Sequence, residues 1–249
     1  VDRPNPIRGD IVEGAPGEKY VGMSLLSGFD YPLRHGMTVG ELAIMYNEEK
    51  KVGAKLTVLK MKGWRRDMWY DETGLIWLPP SPNMPNLDTA LYFAATGLLQ
   101  SSNISLGIKT TTPFQYVGRP DFSGEALAQE LNSRDLDGVY FVPKYYMASV
   151  ALESGHPGEL CLCDGVMMVI HDRNTWRPVM TQLNIFDALF KLYPDIINLD
   201  RDNRHSRVRM GTDKICDAFL ARQSLAPVME EWKQGAEEFM KRREKYLLY

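Results

Sequence analysis

A chain of 249 residues with a net charge of −3 and 24% charged residues carries no basic field for a nucleic acid and no polybasic patch for a membrane surface. No apolar run approaches the roughly 20 residues of a spanning helix, and a chain of this size can bury a core without covalent staples. Its three cysteines, Cys161, Cys163 and Cys216, cannot all pair within one chain, and their spacing does not suit a zinc knuckle, so buried or edge-strand thiols are expected.

From Asp2 to Gly17 the chain is punctuated by Pro4, Pro6 and Pro16, which fix φ and forbid helix, so an ordered loop is expected. The opening residues Val1 to Pro6 read like the exit from a strand, and a fragment or processed chain is therefore expected. An apolar stretch, Tyr20 to Leu26, follows. Then comes Arg34-His35-Gly36-Met37-Thr38-Val39-Gly40-Glu41, in which Thr38 and Glu41 form the T-x-x-E capping box and Leu42, Ile44 and Met45 begin a helix of about three turns. The positive end of that helix, beside Arg34, could seat an anionic or sugar-like ligand. The plainer alternative is a loop fixed by hydrogen bonds, and Glu41 is expected to cap rather than to catalyse.

Alternation from Lys55 to Met61 predicts a short strand, and Leu75 to Leu78 another. Trp64, Trp69, Tyr70 and Trp77 lie close together, either stacking on sugar rings or filling a core. Pro79-Pro80-Ser81-Pro82-Asn83-Met84-Pro85 is a rigid turn that holds Ser81 and Asn83, or simply supports the next helix, for which Asn86 is the N-cap. The stretch from Asn103 to Phe114 reads as strand or loop, with Asn103, Ser105 and Lys109 on one face that lines a cleft or meets water.

Ser123 caps a helix to Arg134, and Gly138 to Pro143 is a β run. Leu160 to His171 is a longer strand, apolar on both faces and so central in its sheet, with Gly165 marking a bulge or a close approach. His171 at its end is read as structural. Thr181 to Tyr193 is an amphipathic helix. Asp200 to Asn203 starts like a calcium loop but lacks its glycine and distal glutamate, so it is a solvated loop. Gly211-Thr212-Asp213 starts a helix that runs to Arg222. Ser224 caps the last one, with Trp232, Ala236, Phe239 and Met240 on one face and Lys241 to Arg243 at its basic end.

There is no G-x-S-x-G elbow, P-loop, G-x-G-x-x-G or H-E-x-x-H, and no metal or cofactor is expected. Composition and spacing together give an α/β or α+β domain, a mixed sheet flanked by helices, with a polar, aromatic-lined cleft.

Several stretches taken together resemble one bacterial family. They are Asp2-Arg3-Pro4-Asn5-Pro6-Ile7, Val12-Glu13-Gly14, Arg34 to Ala43, Pro80 to Pro85, Thr112-Pro113-Phe114, and Arg243 with Tyr246-Leu247-Leu248-Tyr249. The family is the exo-β-N-acetylmuramidases of peptidoglycan recycling (glycoside hydrolase family 171 type). The resemblance implies a Rossmann-like N-terminal domain, a smaller C-terminal α/β domain and a substrate cleft between them. This chain is then expected to be the C-terminal part, with 1–36 a linker from the absent domain and 37–249 the C-terminal domain.

The family's presumed catalytic glutamate sits in a Pro-Glu-His-Gly motif that this sequence lacks, so no catalytic residue is expected here. Where the family reads Glu-Gly-Thr-Asn-x-Ser-Glu-Gly-Arg-Gly-Thr, this chain has Gln100-Ser101-Ser102-Asn103-Ile104-Ser105-Leu106-Gly107-Ile108-Lys109-Thr110. Asn5, Arg34, His35, Ser81, Asn83, Asn103, Ser105 and Lys109 are the expected sugar contacts, Lys109 toward the lactyl carboxylate. Expected partners are muramic-acid sugars or peptidoglycan fragments and the Rossmann-like domain, in a periplasmic or extracellular setting. The changes at Gln100, Leu106 and Ile108 leave open a second reading, a sugar-binding module that has lost the chemistry.

Overall fold

A computed structural model of the chain describes residues 1–17, 30–150, 158–199 and 204–249. The expectations for Tyr20 to Leu26 and Asp200 to Asn203 lie outside the described residues. Three strands, β1 (Tyr116–Arg119), β2 (Val139–Val150) and β3 (Glu159–Ile170), form one sheet in the order β1-β3-β2. Both pairings are antiparallel, so of the two classes expected the chain is the α+β one. β3 is central, as its apolar content predicts.

Gly165 faces Gly118 across the β1–β3 ladder, and a Cβ on it would stand 2.3 Å from the Val117 carbonyl oxygen. Only glycine permits that approach. Helix α3 (Gly124–Asn132), capped by Ser123 through Ala126 N–H, packs on β2 and β3, and helix α4 (Pro178–Leu192) packs on α3. Val117, Phe141, Val166 and Met168 meet Leu127, Leu183, Phe186 and Leu189 in the main core. Helix α2 (Leu87–Thr96), capped by Asn86, packs on α4, and short helices α5 (Arg204–Met210) and α6 (Lys214–Leu220) follow.

A second, smaller core joins helix α1 (Val39–Glu49) to helix α7 (Ala226–Arg243) through Met37, Met45, Ala236, Phe239 and Tyr246. The capping box forms as its sequence dictates: Glu41 N–H donates to Thr38 Oγ1 and Thr38 N–H to Glu41 Oε2. Residues 1–17 run as a loop pinned to this unit. Asp2 accepts from Gly40 N–H at 2.8 Å, from the Thr38 hydroxyl at 2.7 Å and from the Tyr249 hydroxyl at 2.9 Å. The expected boundary between residues 36 and 37 falls inside this bonded unit.

The strands expected at Lys55 to Met61 and Leu75 to Leu78 do not form. Alternation supplies a face but not a partner. Among the described residues the first stretch takes a single backbone bond, from Asp2 N–H to the Leu59 carbonyl, while Leu56, Leu59, Ile76 and Leu78 stay exposed. Asn103 to Phe114 is a loop with one bridge, Ser105 to Gly118. The last helix starts at Ala226, with Ser224 Oγ accepting from its N–H, and Met240 points outward at 45% exposure, unlike Trp232, Ala236 and Phe239. Cys163 and Cys216 are buried thiols and Cys161 is half-buried, all three unpaired. No described helix is long and apolar enough to cross a membrane.

Candidate functional site

A cavity of about 750 Å3 opens where the two cores meet, a size that suits a small ligand. The loop Arg3 to Ile7 and the α1 entry form one wall, and the proline turn closes an edge. The far wall comes from α2, the segment after it, and α4. Apolar side chains, among them Leu33, Met37, Leu42, Phe93 and Phe114, supply most of the surface. Phe114 is held at φ +67, left-handed for a bulky residue, and meets Phe93 edge to face at 5.0 Å. Strain of that kind costs about 1–3 kcal/mol and persists where the surroundings enforce it. Here Leu106 O accepts Phe114 N–H at 2.7 Å, and Thr96 Oγ1 donates to the Phe114 carbonyl.

Five of the expected sugar contacts reach this cavity: Asn5, Arg34, His35, Ser81 and Asn83. Two of these are committed to the frame. Asn5 donates to the Met37 carbonyl and accepts from Ile7 N–H. Arg34 donates to Glu13 Oε1 at 2.5 Å and to the Ile7 carbonyl at 2.7 Å, and both ion-pair side chains are sealed from water. Glu13 in turn accepts from Val179 N–H at the start of α4. Burial pushes the Glu13 pKa up, and the Arg34 charge opposes it. The pair therefore ties the N-terminal loop to α4 rather than presenting a cation.

His35, Ser81 and Asn83 keep donors to offer. Burial, with the Arg243 charge beside it, pushes the His35 pKa down to about 4. Its Nδ1 accepts from Met37 N–H at 3.0 Å, so the neutral ring carries its proton on Nε2. Gly36 follows at φ +60. A Cβ there would lie 2.3 Å from Arg243 Nη1, which donates to the carbonyls of Gly9, His35 and Gly36. Ser81 Oγ accepts from Asn83 N–H, and the Asn83 side chain has no protein partner among the described residues.

The structure does not bring Asn103, Ser105 or Lys109 to the cavity. Asn103 stitches its loop to the turn that follows α4, donating to Ile196 O and accepting from Asn198 N–H. Ser105 Oγ turns back to Gly107 N–H, and Lys109 is exposed at φ +69. Their alternation places them on one face of a strand only if the segment is a strand, and it is a loop. The aromatic group is framework as well. Trp69 is buried among the Arg8, Arg34 and Arg173 guanidiniums, Trp64 packs edge-on to Tyr249, and Trp77 Nε1 props the proline turn at Met84 O. Glu41 is a fully buried cap that also accepts from Leu248 N–H and pairs with Arg66.

Sequence reasoning missed Arg3, Gln182 and Arg209, which line the cavity. Arg3 is exposed and its guanidinium has no protein partner among the described residues. Burial lowers the Arg209 pKa. Gln100, the position where glutamate was expected from the resemblance, lines the cavity too, its Nε2 donating to Gly97 O. No aspartate or glutamate is among the described residues that line it. Such a surface can hold an acceptor-rich or anionic ligand and fix its orientation, but it offers no carboxyl group to move a proton.

Comparison with known proteins places this geometry in a family. The model of the C-terminal part of exo-β-N-acetylmuramidase NamZ matches residues 91–249, and that of its N-terminal part matches residues 1–88. The chain belongs to the NamZ exo-β-N-acetylmuramidase family. It is 34% identical over its whole length to the peptidoglycan β-N-acetylmuramidase NamZ of Bacillus subtilis (strain 168), of which it spans 58%. Two crystal structures of DUF1343 family proteins from Bacteroides fragilis also resemble it over its whole length. One is 34% identical with a TM-score of 0.88 and the other 27% identical with a TM-score of 0.69, and the chain covers 65% of each. The expectation of a C-terminal part alone is corrected by the match over residues 1–88. That segment contributes one wall of the cavity, and the C-terminal segment contributes the other.

Proposed function

We propose that this chain forms the sugar-binding part of an exo-acting β-N-acetylmuramidase that takes N-acetylmuramic acid from the non-reducing ends of peptidoglycan fragments. The observation that carries this reading is the cavity itself. Arg3 and Arg209 stand beside neutral donors on His35, Ser81 and Asn83, with no carboxylate among its described residues. A sugar that bears a carboxylate is favoured in such a site, and a charge-assisted bond to arginine is about twice as strong as a neutral one.

Glycoside hydrolysis needs a carboxyl group to protonate the leaving oxygen. Gln100 cannot transfer a proton, and neutral His35 can only donate a hydrogen bond. The acid then comes from the Rossmann-like part of the family architecture. A periplasmic or extracellular setting, where peptidoglycan fragments occur, belongs to the same reading. The amide at Gln100 favours one competitor, a sugar-binding module without chemistry.

The test is chromophore release from an aryl β-N-acetylmuraminide by the chain alone and by the chain joined to the N-terminal region of a family member. Release only by the joined protein is expected. A folded joined protein that binds N-acetylmuramic acid without cleaving the muraminide would move the binding module to the front. Binding no tighter for N-acetylmuramic acid than for N-acetylglucosamine would sink the anionic-sugar reading.

A further inference from the structure

Gln182 is a polar residue on the buried stripe of α4, one turn after Val179 and one before Phe186, and only 1% exposed. Its Oε1 accepts from Leu98 N–H at 2.9 Å. A backbone N–H can only donate, so the oxygen must be the end that faces Leu98, and the NH2 end is fixed the other way. That Nε2 is buried and has no hydrogen-bond partner among the described residues, while the residue lines the cavity. A buried donor left unmatched is costly, so the group that satisfies it comes from whatever fills the cavity.

The surroundings narrow the choice of acceptor. Leu98, Ala94 and Val179 line the same cavity, and Phe93 and Phe114 present apolar rings to it. An amide donor that cannot ionise, among methyl and aromatic groups, suits a ligand group with a neutral carbonyl and a small apolar end. The acetamido group has that form: its oxygen takes the Nε2–H and its methyl packs on the apolar wall. We infer that Gln182 is a specificity-determining residue that reads the acetamido carbonyl of the bound sugar. This rests on the muramic-acid reading of the cavity.

The experiment measures binding of N-acetylmuramic acid and of 3-O-lactylglucose, which has a hydroxyl in place of the acetamido group, to the full chain by calorimetry. Wild type is expected to prefer the acetylated sugar about tenfold, the value of one well-placed hydrogen bond with its methyl contact. Gln182→Met removes the donor and should bring the two affinities level, chiefly by weakening the acetylated sugar. Gln182→Glu keeps the oxygen facing Leu98 N–H, and should restore the preference only at pH low enough to protonate the new carboxyl. Because the readout is a ratio of two sugars, a general loss of packing would lower both affinities and leave the ratio unchanged. An unchanged ratio in both variants overturns the role of Gln182 while leaving the muramic-acid reading intact. Failure of the wild-type chain to bind either sugar overturns that reading and the inference with it.

Discussion

Arg34 and Glu13 meet at 2.5 Å in an interior that water does not reach, and they join the loop before α1 to the first turn of α4. Removing one partner strands the other charge, and loss of one member of a buried pair costs about 3–5 kcal/mol. Arg34→Ala is therefore expected to lower stability by about that amount, read as a shifted midpoint in urea. Arg34→Lys should lose less, since one ammonium can still meet Glu13. A loss below about 1 kcal/mol in Arg34→Ala would mean that the pair is solvated in solution.

His35 makes stability depend on pH in a definite direction. Its folded pKa of about 4 lies below the ordinary 6.5, so the unfolded chain binds the proton first and stability rises with pH between those values. The contribution is fully present above pH 6.5 and is lost as pH falls toward 4. It amounts to about 3 kcal/mol, and urea titrations across that range should show a slope that His35→Gln removes.

Gly36→Ala is expected to destabilise by about 2 kcal/mol or more, because it adds left-handed strain to a clash. The clash is with Arg243 Nη1, at 2.3 Å from the new Cβ. Thermal unfolding reads it. Gly53→Ala, also at positive φ but with nothing within 4 Å, is the control that isolates the backbone share.

Arg3→Ala removes a cation that does no structural work among the described residues. Affinity for N-acetylmuramic acid should fall about three- to tenfold with unchanged unfolding, and the difference should shrink at high salt. Equal affinity in the variant would detach Arg3 from the ligand.

Gln100→Glu places a titratable group in the cavity. In the joined protein it is expected to change kcat/KM for the aryl muraminide at least about tenfold and to add a limb to the pH profile. An unaltered profile would exclude position 100 from the chemistry.

Local chemistry was legible in the sequence where it closes on itself. The capping box at Thr38 and Glu41, the caps at Asn86 and Ser123, and the close approach at Gly165 all stand as written. What failed depended on partners far along the chain. Lys55 to Met61 has the alternation of a strand but no ladder, and Asn103 and Ser105 are consumed by Asn198 and Gly107. Arg34 reads as a free cation until Glu13 is seen beside it. Gln182 had a visible signal, a polar residue in the apolar stripe of α4, but its meaning required knowing that Leu98 takes only one end of the amide.

The clasp between the chain's two ends also orders events in time. The Tyr249 hydroxyl reaches Asp2 and Leu248 N–H reaches Glu41, so the α1 wall of the cavity is held by groups at opposite ends of the sequence. Closing a loop that long brings its reward only after its entropy has been spent. During synthesis the sheet and α4 can consolidate while residues 1–49 wait for residues 244–249 to be made. The α1 wall of the cavity is thus finished after the sheet and α4.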